Sequence, residues 1–221
     1  MLRVKICGIR HVEDALLAAE QGADAIGFIF YAKSPRYVTP EQANKISKQL
    51  PAHISRVGVF VNPEESELSA IRSIVKLDAI QIHGLLVEKK FASLKGSALI
   101  LAIAVSDSLL KDKIDQLGRL SDAVLCDTHH PNLYGGTGKP FDWKTVKHLT
   151  HKYRVILAGG LSPENVARAV EIASPYAVDI NSGIEAYPGK KDPAKLKQIF
   201  QKLRKYRIDW KPEREQLFPL A

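Results

Sequence analysis

Residues 154–173 read RVILAGGLSPENVARAVEIA, and the reading of this stretch decides the fold. A short apolar run, Val155 to Ala158, ends on the pair Gly159–Gly160, the pattern of a strand closed by a turn. The tripeptide SPE then offers a hydroxyl to cap a helix, a proline for its first position and an acid for its first turn. An amphipathic segment follows. The unit is strand, glycine turn, helix.

Outward from there the same unit recurs along the chain. Apolar runs occur at RVKIC, DAIGFIF, SRVGVFV, DAIQIH, ALILAIAV, DAVLCD, RVILAGG and YAVDINSG. Helix-like segments separate them: VEDALLAAEQG, TPEQANKISKQL, EESELSAIRSIVK, LVEKKFASL, SLLKDKIDQLGRL, FDWKTVKHLT, SPENVARAVEIA and DPAKLKQIFQKLRKY. Strict alternation implies parallel strands joined by crossover helices. Eight units of about 27 residues fit a single-domain α/β fold, a parallel eight-stranded (β/α)8 TIM barrel. An open doubly wound sheet requires a G-x-G-x-x-G loop after the first strand, and CGIRH lacks it. No low-complexity linker divides the chain. The barrel is expected over residues 1–205, with a tail over 206–221 that is either packed through Trp210 and Phe218 or disordered, packing being favoured.

With 221 residues, 45% of them hydrophobic and 25% charged, the chain has the make-up of a soluble globular protein. Two cysteines, Cys7 and Cys126, build no disulfide framework and suit a reducing compartment. Residues 1–10 lack an extended apolar stretch and a small-residue cleavage site, so no secretory leader is expected, and the longest apolar run, ALILAIAV, is too short to span a bilayer. A cytoplasmic location is expected, with no membrane partner. The net charge of +8 invites a nucleic-acid reading. Much of the excess, however, lies in GKKDPAKLKQIFQKLRKYR, a solvated helix face without the interleaved aromatics of a stacking platform. A small phosphorylated, carboxylated ligand would also be steered by such a field. No nucleic-acid partner is expected.

In a (β/α)8 barrel the site lies at the C-terminal ends of the strands. Those ends offer Cys7, then Lys33 and Arg36 after the second strand, Gln81 and His83, Asp127, Gly159 and Gly160, and finally Asp179, Asn181, Ser182 and Gly183. The loops LAGGLSPENV and INSGIEAYPGKKD follow strands seven and eight, where this fold commonly holds phosphate. The glycine cluster YGGTGKPFDW has Leu133 where a Walker A loop needs glycine, and it reads instead as a lid freed by Gly135, Gly136 and Gly138. Cys7 and Asp127 are a candidate base and acid. Side-chain alternation along the strand then sends Cys126 to the helix layer. Lys5 shares the parity of Cys7, and a barrel-interior lysine needs a partner, for which Asp179 is the candidate. His129 and His130 have no further ligand group at a suitable spacing, so no metal is expected.

Taken in order, VKICGI, GFIFYAKSPRYV, VGVFVN, QIHG, DTHHPNLYGGTGKPFDW, LAGGLSPENV and VDINSGIEAYPGKKD resemble the phosphoribosylanthranilate isomerase family of tryptophan biosynthesis. The resemblance runs from about Leu2 through the eighth helix. It implies an Amadori rearrangement without cofactor, with Cys7 as general base, Asp127 as general acid and Arg36 on the anthranilate carboxylate. It further implies phosphate binding by Gly159, Gly160, Ser182 and Gly183; His83, in QIHG, is a motif position whose role stays open, and His83 and Asp179 are candidate substrate contacts. The partner is then a small phosphorylated molecule, and the chain a monomer or weak homodimer. The related histidine-pathway isomerase family has aspartate where this chain has Cys7, and its substrate carries two phosphates. A basic barrel that binds RNA is the non-enzymatic alternative.

Overall fold

A computed structural model describes residues 1–84, 94, 96–105, 110–128 and 141–207. Eight strands close into a barrel: β1 (Arg3–Cys7), β2 (Ala25–Ile29), β3 (Ser55–Val61), β4 (Ala79–His83), β5 (Ala98–Val105), β6 (Ala123–Thr128), β7 (Val155–Leu157) and β8 (Ala177–Ile180). Every neighbouring pair is parallel, and β1 pairs with β8 to complete the circle. The helices α1 (Val12–Glu20), α2 (Pro40–Ser47), α3 (Glu65–Ile74), α4 (Leu110–Leu120), α5 (Lys144–Lys147), α6 (Val166–Ala173) and α7 (Pro193–Leu203) lie between and after the strands. The TIM barrel read from the alternation is the fold observed. Residues 86–93 of the expected fourth helix, the glycine-rich lid with its neighbours His129 and His130, and the tail beyond Arg207 lie outside the described residues.

Strand alternation produces two apolar layers. Cys7, Ala25, Val57, Ile100, Leu125 and Ile156 belong to the inner one. Val4, Ile6, Ile26, Phe28 and Val124 belong to the thicker layer between strands and helices, and Cys126 is buried there, as its parity requires. Burial of this kind is worth about 25 cal/mol per Å2 of apolar surface and supplies most of the drive to fold.

Three aspartates fix the strands at the N-terminal face. Asp24, Asp78 and Asp122 stand immediately before β2, β4 and β6. Their Oδ2 atoms accept from Val4 N (2.7 Å), Arg56 N (2.8 Å) and Leu99 N (2.7 Å) at the start of the preceding strand. Each clasp satisfies an amide that the barrel leaves open, and together they set the stagger of three strand pairs. Asp24 also accepts from the buried Arg207 guanidinium at 2.6 Å, tying the chain beyond α7 to the barrel floor.

Two local readings need correction. TPE behaves as expected: Thr39 caps α2 in a capping box with Gln42, and Pro40 takes the first position. SPE does not, because α6 begins only at Val166 with Asn165 at its cap. The Asn165 side chain accepts from Ser162 N and donates to Gly160 O, winding residues 162–165 into a turn ahead of the helix. The second correction lies after β8, where a plain loop was expected. There the chain forms a 3-10 turn (Ser182–Ile184) and a small antiparallel pair, β9 (Glu185–Tyr187) and β10 (Lys190–Lys191). Buried Asp14 on α1 holds this pair, accepting from Lys190 Nζ (2.6 Å) and Lys191 N (3.0 Å).

Candidate active site

One cavity opens at the C-terminal ends of the strands. Cys7, Arg36, His83, Asp127, Gly159, Gly160, Asp179 and Ser182 all line it. Residues from β1, the β2 loop, β4, β6 and the β7 and β8 ends thus converge, although more than 170 positions separate some of them in sequence. Gly183 is not on the wall. A Cβ there would lie 2.0 Å from Leu161 O, so this glycine lets the β8 turn close against the β7 loop.

Cys7 ends β1 facing the barrel interior, with Gly27 of β2 as its register partner. A Cβ at position 27 would come within 2.7 Å of the Cys7 sulfur and 3.2 Å of Lys5 Cε, so the neighbouring strand is cut back to make room for both. Lys5, fully buried, donates from Nζ to Asp179 Oδ2 at 2.7 Å, the interior ion pair that its parity called for. The other oxygen of Asp179 is buried and has no hydrogen-bond partner among the described residues.

Burial pushes the Cys7 thiol above its ordinary range, and the Asp179 carboxylate pushes it further. Lys5 and Lys191 pull the other way and are outweighed. Asp127 is pushed up to about 6, chiefly by burial and secondarily by Asp179, against the hydrogen bond it accepts from Thr128 N at 2.7 Å. His83 is pushed down to about 4 by burial and by the charge on Lys5, so its ring is neutral at physiological pH. Its Nε2 lies 2.8 Å from Gln81 Nε2.

The turn after β7 brings backbone to the cavity wall. Gly159 and Gly160 both take positive φ, +84° and +65°, which side chains with a Cβ adopt at a cost. A Cβ on Gly159 would also meet Thr128 N at 2.5 Å and Asp127 Oδ1 at 2.9 Å. The bare backbone therefore packs directly against the end of β6, beside the general-acid candidate. Paired loops of this kind, with amides free of side-chain cover, suit an anionic oxygen cluster.

Arg36 reaches the rim beside Gly8 and Asn181, and its guanidinium already has a protein partner. Its Nε donates to Glu185 Oε1 (2.9 Å) and Oε2 (3.1 Å), and Nη2 donates to Oε2 (2.7 Å). Neither Glu185 nor Lys191, which donates to Glu185 Oε1 at 3.1 Å, was singled out from the sequence. Their segment, IEAYPGKK, is polar and has no strand period, so it reads as a solvated loop. Both are nevertheless buried. The described residues contain no group of His, Cys, Asp and Glu that could hold a metal ion. No described helix is long and apolar enough to cross a membrane.

The family model described as N-(5'phosphoribosyl)anthranilate (PRA) isomerase matches residues 4–202. The N-(5'-phosphoribosyl)anthranilate isomerase of Thermotoga maritima is 44% identical over 206 residues, spanning 91% of this chain and 98% of its own length. The crystal structure of phosphoribosyl anthranilate isomerase from the same organism superposes with a TM-score of 0.86 at 42% identity, covering 93% of this chain and all of that one. A second isomerase structure contains reduced 1-(o-carboxyphenylamino)-1-deoxyribulose 5-phosphate. It superposes with a TM-score of 0.83 at 39% identity, over 93% of this chain and all of its own.

Proposed function

This chain belongs to the N-(5'-phosphoribosyl)anthranilate isomerase family, and from that premise we propose how its residues divide the reaction. The enzyme is an aldose–ketose isomerase of tryptophan biosynthesis. It converts N-(5-phosphoribosyl)anthranilate to 1-(2-carboxyphenylamino)-1-deoxyribulose 5-phosphate by an Amadori rearrangement. Substrate and product are isomers, so the reaction has no net oxidation or reduction and needs protons moved and the ring C–O bond opened.

Asp127, as the carboxylic acid, gives its proton to the furanose ring oxygen while the ring C–O bond breaks. The nitrogen lone pair forms the iminium at C1. That cation acidifies the C2–H bond, and the Cys7 thiolate removes the proton to give the enolamine, which tautomerises to the aminoketone. The observation that carries this reading is the placement of Cys7 and Asp127 on the wall of one cavity, with Arg36 and the Gly159–Gly160 turn also on it. Arg36 takes the anthranilate carboxylate through its planar fork. The phosphate is bound by Gly159, Gly160 and Ser182, with Gly183 allowing the two loops to close together. His83 and Asp179, the latter through its unpartnered oxygen, meet the sugar hydroxyls.

The elevated positions of both titrations fit this chemistry. Between them the resting pair is carboxylate and thiol, which holds as many protons as the reactive acid–thiolate pair. One proton shift within the site interconverts them.

The basic field of a chain with net charge +8 draws in a substrate that carries both a phosphate and a carboxylate, in keeping with a cytoplasmic enzyme whose partner is a metabolite. Residues 1–205 constitute the catalytic barrel. The direct test makes the substrate in place from anthranilate and phosphoribosyl pyrophosphate with the upstream transferase, and follows its fluorescence. Loss of fluorescence that depends on this protein is expected, and a trace unaffected by adding it would refute the assignment.

A further inference from the structure

Among the described residues, Glu185 is a carboxylate whose position beside a proposed ligand-binding cation is unaccounted for. It opens β9, directly after the 3-10 turn that lines the pocket, and is only 7% exposed. Its Oε1 accepts from Gly189 N (3.2 Å) and from Lys191 Nζ (3.1 Å). Lys191, 1% exposed, also donates to Asn181 Oδ1 (2.9 Å) and Asn181 O (3.2 Å) at the end of β8. The carboxylate is therefore anchored from its own hairpin before it reaches Arg36.

A guanidinium has two faces for a carboxylate: the Nε–Nη2 side and the Nη1–Nη2 end. Glu185 occupies the Nε–Nη2 side fully. Nη1 makes no hydrogen bond to the described residues, and Arg36 lies on the cavity wall. Left alone, so long a side chain would sample many rotamers and lose that freedom only on meeting its ligand. A lone glutamate would also repel an incoming carboxylate, but Arg36 and Lys191 both donate to its oxygens and offset its charge. The Glu185 carboxyl stays ionised: burial opposes this, and the Arg36 hydrogen bonds and the charge on Lys191 overcome it.

We propose that Glu185, held by Lys191 and Gly189, is a positioning residue that fixes Arg36 by its Nε–Nη2 side and so presents the Nη1–Nη2 end to the substrate carboxylate. The inference rests on Arg36 being the carboxylate ligand, as argued above. It makes Glu185 a determinant of substrate specificity that never touches the substrate.

Two probes separate the claims: reduced 1-(o-carboxyphenylamino)-1-deoxyribulose 5-phosphate, and the same molecule without its carboxyl group. Dissociation constants are measured by calorimetry for the wild type, Arg36→Met, Glu185→Gln and Glu185→Asp. Arg36→Met is expected to weaken the carboxylated probe by at least about tenfold and the carboxyl-free probe by less than about twofold. Glu185→Gln is expected to weaken only the carboxylated probe, by about five- to tenfold, with partial recovery in Glu185→Asp and no added loss when combined with Arg36→Met. If Arg36→Met treats both probes alike, the carboxylate reading fails and the inference with it. If Arg36→Met discriminates but Glu185→Gln does not, weakens both probes equally, or tightens the carboxylated one, the positioning role alone is overturned.

Discussion

Lys5 and Asp179 are register partners on β1 and β8, and they join across the closing seam of the barrel through a 2.7 Å ion pair. No part of Lys5 is exposed, and it carries its charge because the Asp179 carboxylate offsets the cost of burial. The pair underlies the active cavity and sets opposing charges beside the thiol. Removing one member leaves an uncompensated charge in the interior, at a cost of about 3–5 kcal/mol. Lys5→Met is accordingly expected to lower stability in urea denaturation by that amount, and Lys5→Met/Asp179→Leu to recover most of it. A loss below about 1 kcal/mol in the single variant would mean that the pair does not hold the seam.

The pH dependence of kcat/KM follows from the two raised titrations. Under the proposed roles, activity needs Asp127 protonated and Cys7 ionised, so it rises as the thiol ionises and falls as the carboxyl does. Because the Asp127 value of about 6 lies below that of the thiol, the profile is a bell whose acidic limb sits near 6 and whose basic limb reports Cys7, above the ordinary thiol range. A stability effect accompanies it. A carboxyl whose folded pKa is raised favours the native state below the unfolded value, and that contribution is lost as pH climbs through about 6. Asp127→Asn should thus raise Tm at pH 7.5 relative to wild type and leave it nearly unchanged at pH 4. An equal shift at both pH values would contradict the assignment.

The phosphate claim is open to a one-atom test. Gly159→Ala places a Cβ where φ is +84° and where Thr128 N stands 2.5 Å away. The turn must shift, and KM is expected to rise by at least about tenfold through lost phosphate contacts. Inorganic phosphate, a competitive inhibitor of wild type under this account, should lose affinity in parallel. Unchanged phosphate inhibition in a folded variant would place the phosphate elsewhere.

Thr39→Ala provides the contrast, because neither residue of the α2 capping box lines the cavity. Its loss should cost about 1 kcal/mol of stability and leave kcat and KM within about twofold of wild type. Altered kinetics here would show that α2 is coupled to the site.

The parts of this molecule that obey a period were legible in its sequence. The eight apolar runs became eight barrel strands, and parity alone placed Lys5 and Cys7 inside and Cys126 outside. Arg36, Cys7 and Asp127 could be singled out because each reactive group follows or ends an apolar run. Glu185 and Lys191 could not. They belong to strands of three and two residues, too short to express a period, and their burial depends on Asp14 and Arg36 from distant elements. The cap of α6 was misread for a related reason: Ser162 and Asn165 both qualify by type, and the hydrogen bond from Asn165 to Gly160 O decides between them.

The central claim is that Cys7 and Asp127 act as base and acid on one ligand, and turnover in their two single variants tests it most directly. With substrate made in place and its fluorescence followed, Cys7→Ala and Asp127→Asn should each lower kcat by at least about 100-fold. Folding should be intact by circular dichroism, and both variants should still bind the reduced product analogue. Turnover near wild type in either variant would contradict the account.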